Sequence, residues 1–301
     1  MDIHNLEQIK QEFSGFQQEF ENGNKEKALE KLLELLDALE KADTSRRAAQ
    51  IDKDGNVTLS SEIPAGKPAA EKSAEDGTGK SQPLYMSLNH VMEYYIFAYY
   101  FQPATEVRCT DIPYGEYYRT YGQLALSMQK YNGAKKAYER AIAWNPVDLD
   151  AYLGLAEVYK YQNQREKYLT VTKQAYRYCC TRATMARYYR NMAFYYLSGY
   201  EPETARACYQ YSNVYYHTEN ADSELKYISE AIQQETPQTD IRAIQKLFDE
   251  KQIEPGPDSQ TIGIVYKVGE ILLKDGDYKL AKDCYSIVYD ITQDAAAEKM
   301  L

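Results

Sequence analysis

Cysteine, histidine and tryptophan are scarce in this 301-residue chain, which has five Cys, three His and one Trp. The cysteines (Cys109, Cys179, Cys180, Cys208 and Cys284) are odd in number and show no C-x-x-C spacing, which argues against a disulfide framework or a zinc ribbon. They read as reduced, small apolar residues, with Cys179-Cys180 packed at a helix end. His4, His90 and His217 lie far apart in helical patterns, as surface or groove residues rather than catalytic bases. No G-x-x-x-x-G-K-[ST], H-E-x-x-H or G-x-S-x-G motif occurs. The stretch Gly77-Thr78-Gly79-Lys80-Ser81 looks like the end of a phosphate loop, but Ala74 stands where the loop needs its first glycine. The expectation is therefore no enzyme, with no catalytic residue, no metal and no cofactor. Uncharged apolar runs of membrane-spanning length are missing too, since the most apolar segment, 84–101, carries Asn89, His90 and Glu93. The opening MDIHNLEQIKQ has neither a basic flank nor an apolar stretch, so a cytoplasmic location is expected.

Basic charge is also short. The net charge is −10, unevenly spread. Residues 1–41 hold 10 acids and 5 bases, residues 214–301 hold 17 and 9, and residues 84–213 reverse the balance with 11 acids and 15 bases. Wrapping nucleic acid needs a continuous basic stripe, which acidic ends do not supply. The basic middle suits an acidic ligand.

Three regions differ in composition. Residues 1–41 read as a helical hairpin: Phe13, Phe16 and Phe20 mark one face, Asn22-Gly23-Asn24 breaks the helix, and Ala28, Leu29, Leu32, Leu33, Leu35, Leu36 and Leu39 resume a 3.6-residue period. Residues 42–83 lack aromatics and hold few large apolar residues, as expected of a flexible linker or mobile loop. Inside it, Asp52-Lys53-Asp54-Gly55-Asn56 fails as a calcium loop, because Val57 and Ile63 stand where the sixth-position Gly and twelfth-position Glu belong. A tight turn between short strands at 50–51 and 57–59 explains the same residues. Residues 84–301 read as successive helices, beginning with one apolar helix over 84–101. They also hold all 31 tyrosines, 26 of them between Tyr85 and Tyr216.

A 34-residue period runs through this third region. Tyr118, Gly122, Ala125, Ala134, Tyr138, Ala141 and Pro146 are answered by Tyr152, Ala156, Tyr159, Tyr168, Thr172, Ala175 and Cys180. After a three-residue slip the pattern returns as Tyr189, Met192-Ala193, Tyr196, Ala205, Tyr209 and Ser212, and again as Val265, Val268-Gly269, Leu272, Ala281, Tyr285 and Val288. Large aromatics alternate with small residues where two helices cross closely. The period and pattern resemble the tetratricopeptide repeat. Clear units fall at about 115–146, 149–180, 186–217 and 262–293, with a degenerate unit at about 222–251 split by Thr236-Pro237; Asp258 or Ser259 caps the last.

That resemblance implies an all-α fold, a right-handed α-α superhelix preceded by an N-terminal hairpin, and a scaffold that binds a peptide or protein segment on its concave face. Some tetratricopeptide proteins grip a peptide's C-terminal carboxylate with Lys, Asn and Arg from the first helices of three units. The corresponding positions here hold Arg119 and Gln123 in the first unit, Gly154 in the second, and Arg187, Arg190 and Asn191 in the third. Gly154 and Asn191 depart from the family's Asn and Arg. With Tyr152, Glu157 and Phe194 these residues form the candidate ligand-binding face, for a partner bearing acidic groups or a C-terminal carboxylate. Tyrosine rings and arginines are frequent binding anchors; local acids such as Glu116, Asp150 and Glu157 are the alternative partners for the arginines. Neither nucleic acid nor membrane is an expected partner, and the oligomeric state is left open. A second function class is a regulatory sensor that binds a small molecule or short peptide and signals to a protein.

Overall fold

The computed structural model describes residues 5–43, 46–52, 56–59 and 83–301. Two compact units divide between Asn163 and Gln164.

The first unit opens with a helical hairpin, α1 (Leu6–Glu21) and α2 (Lys25–Ala42). Ile9 and Phe16 on α1 and Leu29, Leu32, Leu36 and Leu39 on α2 are buried at the periodic positions. Asn5 caps α1, its side chain accepting from the Gln8 amide at 3.1 Å. Gly23, at φ +78°, makes the turn in a conformation that costs a glycine little. Across the turn, Glu19 meets Lys27 at 2.8 Å and Lys31 at 3.3 Å, and accepts from the Asn24 amide group at 3.0 Å.

Short strands follow: β1 (Arg46–Arg47), β2 (Ala49–Ile51), β3 (Val57–Leu59) and β4 (Leu84–Met86). β2 and β3 pair antiparallel, Ala49 opposite Leu59 and Ile51 opposite Val57, and Asp52 accepts from the Asn56 amide at 2.9 Å at the mouth of the turn. Ala48, Ala49 and Leu59 are buried, and β2 lies against the fifth helix described below. The described parts of the expected linker are thus strands with buried residues; the remainder of 42–83 lies outside the described residues.

The expected single helix over 84–101 is corrected: β4 comes first and α3 (Val91–Phe101) begins only at Val91. Backbone pairing draws the earlier residues away from a helix. β4 runs parallel to both β1 and β5 (Val107–Cys109), giving a sheet of order β1-β4-β5. The Ser87 amide then donates to the Trp144 carbonyl at 3.0 Å. The Ser87 hydroxyl accepts from Gly115 N at 3.2 Å and donates to the Ile112 carbonyl at 3.2 Å.

Three helices complete the unit: α4 (Tyr114–Ser127), α5 (Tyr131–Trp144) and α6 (Leu149–Tyr161). α4 packs on α2 and α5, and α5 on α6. The Tyr138 ring of α5 fills the space over two glycines, one on each flanking helix. A Cβ built on Gly122 would come within 2.9 Å of that ring, and one on Gly154 within 2.2 Å. Tyr114 stacks on Trp144 with centroids 4.0 Å apart, and Phe13 stacks on Tyr117 at 4.3 Å. The hydroxyls of Tyr114 and Tyr118 donate to Asp43 and Glu40, tying the repeat to the N-terminal hairpin.

The second unit holds α7 (Arg165–Tyr176), α8 (Arg182–Ser198), α9 (Pro202–Tyr215), α10 (Glu219–Ile232), α11 (Ile241–Lys251), α12 (Ser259–Lys274), α13 (Tyr278–Thr292) and the short α14 (Ala295–Glu298). α8 packs on α7 and α9, and α9 also receives α10 and α11. Ala193, Ala205 and Cys208 are fully buried, which lets α8 and α9 approach closely. α12 pairs with α13, where a Cβ on Gly269 would meet the Tyr285 ring at 3.1 Å, the same glycine–tyrosine spacing of 16 residues seen at Gly122 and Tyr138. Asp258 caps α12, its carboxylate accepting from Gln260 N at 2.9 Å and Thr261 N at 3.1 Å. Among the described residues, no helix is long and apolar enough to cross a membrane.

Candidate functional site

The sequence-derived site residues fall into two groups, one in each compact unit. Arg119, Gln123, Tyr152 and Glu157 lie in the first. Arg119, on α4, is engaged from both sides. Its Nη1 donates to both Asp148 carboxylate oxygens, at 2.7 and 2.6 Å, and its Nη2 to Asn89 Oδ1 at 3.0 Å. The Asp148 side chain is 1% exposed and that of Arg119 is 16% exposed. Burial pulls the guanidinium down, but the Asp148 charge and its hydrogen bonds leave a net rise. Asp148 is also the N-cap of α6, accepting from Ala151 N at 3.2 Å.

Nearby, Glu93 accepts from Asn89 N at 2.7 Å, Asn89 Nδ2 at 3.0 Å and Asn145 Nδ2 at 2.8 Å. Burial pushes its carboxyl up, opposed by those bonds. Glu93, Asn145, Asp148, Asn89 and Arg119 therefore form a satisfied network that joins the start of α3 to α4 and to the turn before α6. Asp148 is not among the acids expected from the sequence to pair with Arg119 (Glu116, Asp150 and Glu157). Its signal was present: an Asp just after Asn145-Pro146 and before a helical run is an N-cap.

Gln123 is exposed on α4. Tyr152 is 1% exposed, its hydroxyl donating to the Pro146 carbonyl at 2.9 Å. Glu157 is partly exposed, with Lys160 at 3.9 Å. Gly154 is buried, and the Tyr138 ring occupies the place a side chain would take. The expected Asn of a carboxylate grip has no room there.

The second group lies on a single helix. Arg187, Arg190, Asn191 and Phe194 stand at i, i+3, i+4 and i+7 of α8, one face of that helix. Tyr168 of α7 backs this face, its hydroxyl donating to the Asn191 carbonyl at 3.1 Å and its ring meeting Phe194 edge-on at 5.4 Å. Neither Arg187 nor Arg190 takes part in an ion pair among the described residues. Burial, and next the charge of Arg187, hold the Arg190 guanidinium below its ordinary range, opposed by Tyr209. Arg190 Nη1 and Asn191 Nδ2 are buried donors without a hydrogen-bond partner, and so is Nη1 of Arg206 on α9. Asn191 as a whole is 6% exposed. An unmatched buried donor costs about 1–3 kcal/mol, so an acceptor placed on this face gains that much in return. Sequence reasoning missed Arg206, since an arginine in the second helix of a repeat unit carries no distinguishing pattern.

Comparison with known proteins fits this geometry of paired helices bearing small-residue crossings. Residues 115–148, which cover α4, α5 and the turn to Asp148, match the tetratricopeptide repeat family. Residues 115–148 thus match one tetratricopeptide repeat, within a mostly helical chain that resembles such repeat proteins. Such repeats serve as protein-interaction scaffolds. Among solved structures, the chain is similar to the anaphase-promoting-complex hetero-tetramer Cut9–Hcn1, at 14% identity and a TM-score of 0.37; 63% of this chain aligns with 36% of that one, about a third of its length. It is also similar to YrrB, described as a tetratricopeptide protein with an unusual peptide-binding site, at 15% identity and a TM-score of 0.33, over 62% of this chain and 91% of that one. No curated protein matches.

Proposed function

We propose that this tetratricopeptide-type scaffold is non-enzymatic and binds an acidic segment or C-terminal carboxylate of a protein partner on the α8 face. The observation that carries the reading is the pair of arginines without an ion-pair partner among the described residues, with Arg190 Nη1 and Asn191 Nδ2 as buried donors that lack acceptors. A carboxylate supplies both the missing charge and the missing acceptors. Charge-assisted bonds of this kind are stronger than neutral ones, and the guanidinium fork suits a planar carboxylate. Phe194, half-buried beside the arginines, offers an apolar surface to the residue preceding the carboxylate.

The test uses one fluorescent peptide in three forms: free C-terminus, amidated C-terminus, and amidated with its internal acids changed to amides. The wild type is expected to bind in the order of decreasing negative charge. Arg187→Glu weakens the free-acid peptide by about 2 kcal/mol or more, through a lost charge-assisted bond and new repulsion. Equal affinity for all three peptides, or an unchanged affinity in a folded Arg187→Glu protein, rejects the reading.

A further inference from the structure

In a different part of the second unit, an internal segment is held by a cluster of tyrosines. The irregular segment between α11 and α12, Ile253-Glu254-Pro255-Gly256-Pro257, lies against residues of α7, α8 and α9. Three consecutive carbonyls in it each accept a tyrosine hydroxyl. Tyr189 donates to the Glu254 carbonyl at 2.8 Å, Tyr211 to that of Pro255, and Tyr176 to that of Gly256 at 2.9 Å. A fourth hydroxyl, of Tyr188, donates to the Glu254 carboxylate at 2.8 Å. The rings support one another: Tyr176 and Tyr188 at 5.1 Å, Tyr188 and Tyr189 at 5.1 Å, and Tyr189 and Tyr211 edge-on at 4.8 Å. Phe248 of α11 stacks on Tyr189 at 5.6 Å.

The chemistry of the two sides is matched. Pro255 and Pro257 have no amide hydrogen, so the segment presents mainly acceptors. The pocket presents donors, and burial pushes the phenols of Tyr188 and Tyr189 well above their ordinary range, keeping them protonated. Apart from Ile253, which is 2% exposed, the segment rides at the surface: Pro255 is exposed and Glu254, Gly256 and Pro257 are half-buried. A linker that merely filled a core would be held by buried side chains. This one is read through its main chain and one acidic side chain, as aromatic-lined grooves read proline-containing peptides.

We propose that the tyrosine pocket of Tyr176, Tyr188, Tyr189 and Tyr211 is a recognition site for an acidic residue followed by Pro-Gly-Pro in a partner protein, with Ile253–Pro257 as its built-in competitor. A tethered competitor acts at an effective concentration in the millimolar range. An external ligand therefore meets a pocket that is closed until the tether is weakened.

The experiment uses the full chain and the acetylated, amidated seven-residue peptide of sequence Gln-Ile-Glu-Pro-Gly-Pro-Asp. In one protein the strap is weakened by Glu254→Ser, Pro255→Ser and Pro257→Ser together. That variant is expected to bind the peptide at one site at least tenfold more tightly than the wild type. Adding Tyr188→Phe then weakens the peptide about tenfold, the effect of one charge-assisted bond. A folded strap variant that binds no more tightly than the wild type overturns the proposal. A second measurement needs no altered protein: millimolar peptide, but not its scrambled form, raises hydrogen exchange at the wild-type amides of Ile253, Glu254 and Gly256. Unchanged exchange at saturating peptide also overturns it, whichever way the strap variant folds. Neither readout involves Arg187 or Arg190, so the outcome is separate from that of the carboxylate reading.

Discussion

Arg119 and Arg187 each lie on the first helix of a repeat, yet the structure uses them in opposite ways. Arg119 is clamped by both oxygens of Asp148 and by Asn89. Arg187 makes no ion pair among the described residues, and its neighbour Arg190 carries a buried donor with no acceptor. Residue type is the same in each case. What differs is the turn that leads into the neighbouring helix, because Asp148 caps α6 and lies within reach of Arg119. The corresponding cap, on α10 after the α8–α9 pair, is Thr218, which carries no charge. An arginine in a helical repeat is thus structural or available according to the residue that caps a helix nearby.

The largest expected effect breaks the clamped side of this comparison. Asp148→Ala removes the partner of a mostly buried guanidinium and the cap of α6 together, and is expected to cost about 3–5 kcal/mol in chemical denaturation. A loss below about 1 kcal/mol would show that Arg119 is as unconstrained as Arg187, and the contrast would fall. A middle-sized effect tests whether both units rest on the same close crossings. Ala134→Leu in the first and Ala205→Leu in the second each place a larger side chain at a fully buried position, with an expected loss of about 1–3 kcal/mol. The exposed control Lys282→Ala stays within about 0.5 kcal/mol, and equal thermal shifts for the core and surface changes would contradict the shared packing.

The smallest effect belongs to the N-terminal hairpin, where charge rather than packing is at stake. Hydrogen bonds from Lys27 and then Asn24 hold Glu19 well below its ordinary 4.5, at about 2. A depressed carboxyl stabilises the fold above its unfolded-state value and loses that contribution as the pH falls through its folded-state value. The wild type therefore loses stability between about pH 4.5 and 2, and Glu19→Gln flattens that part of the profile. A profile identical in the two proteins would assign the acid sensitivity to other groups.

Much of the helical architecture was legible because its signals are local. The Asn22-Gly23-Asn24 break, the leucine period of α2 and the Asp258 cap depend on residues close in sequence, where turn geometry and hydrophobic periodicity act. The 34-residue pairing of small residues with tyrosines was equally visible, since the contact of Gly122 with Tyr138 lies within one helix pair. The strand β4 was misread as helix because its reason is distant: partners at β1 and β5, and a serine held by Ile112 and Gly115. The candidate site divides the same way. The spacing of Arg187, Arg190, Asn191 and Phe194 on one helical face follows from the sequence alone. The engagement of Arg119 by Asp148, 29 residues away, does not.

The tyrosines draw the boundary most sharply. Their number and their concentration between Tyr85 and Tyr216 were set by the sequence, and helical period alone required adjacent pairs such as Tyr188-Tyr189 to diverge. Which acceptor each would meet was decided only by the tertiary fold, which carries Glu254, 66 residues further along the chain, onto the Tyr188 hydroxyl. A helix's own period and caps are fixed by neighbours three or four residues apart. A hydroxyl takes whichever acceptor the folded chain brings to it, and that choice exists only once distant segments have packed.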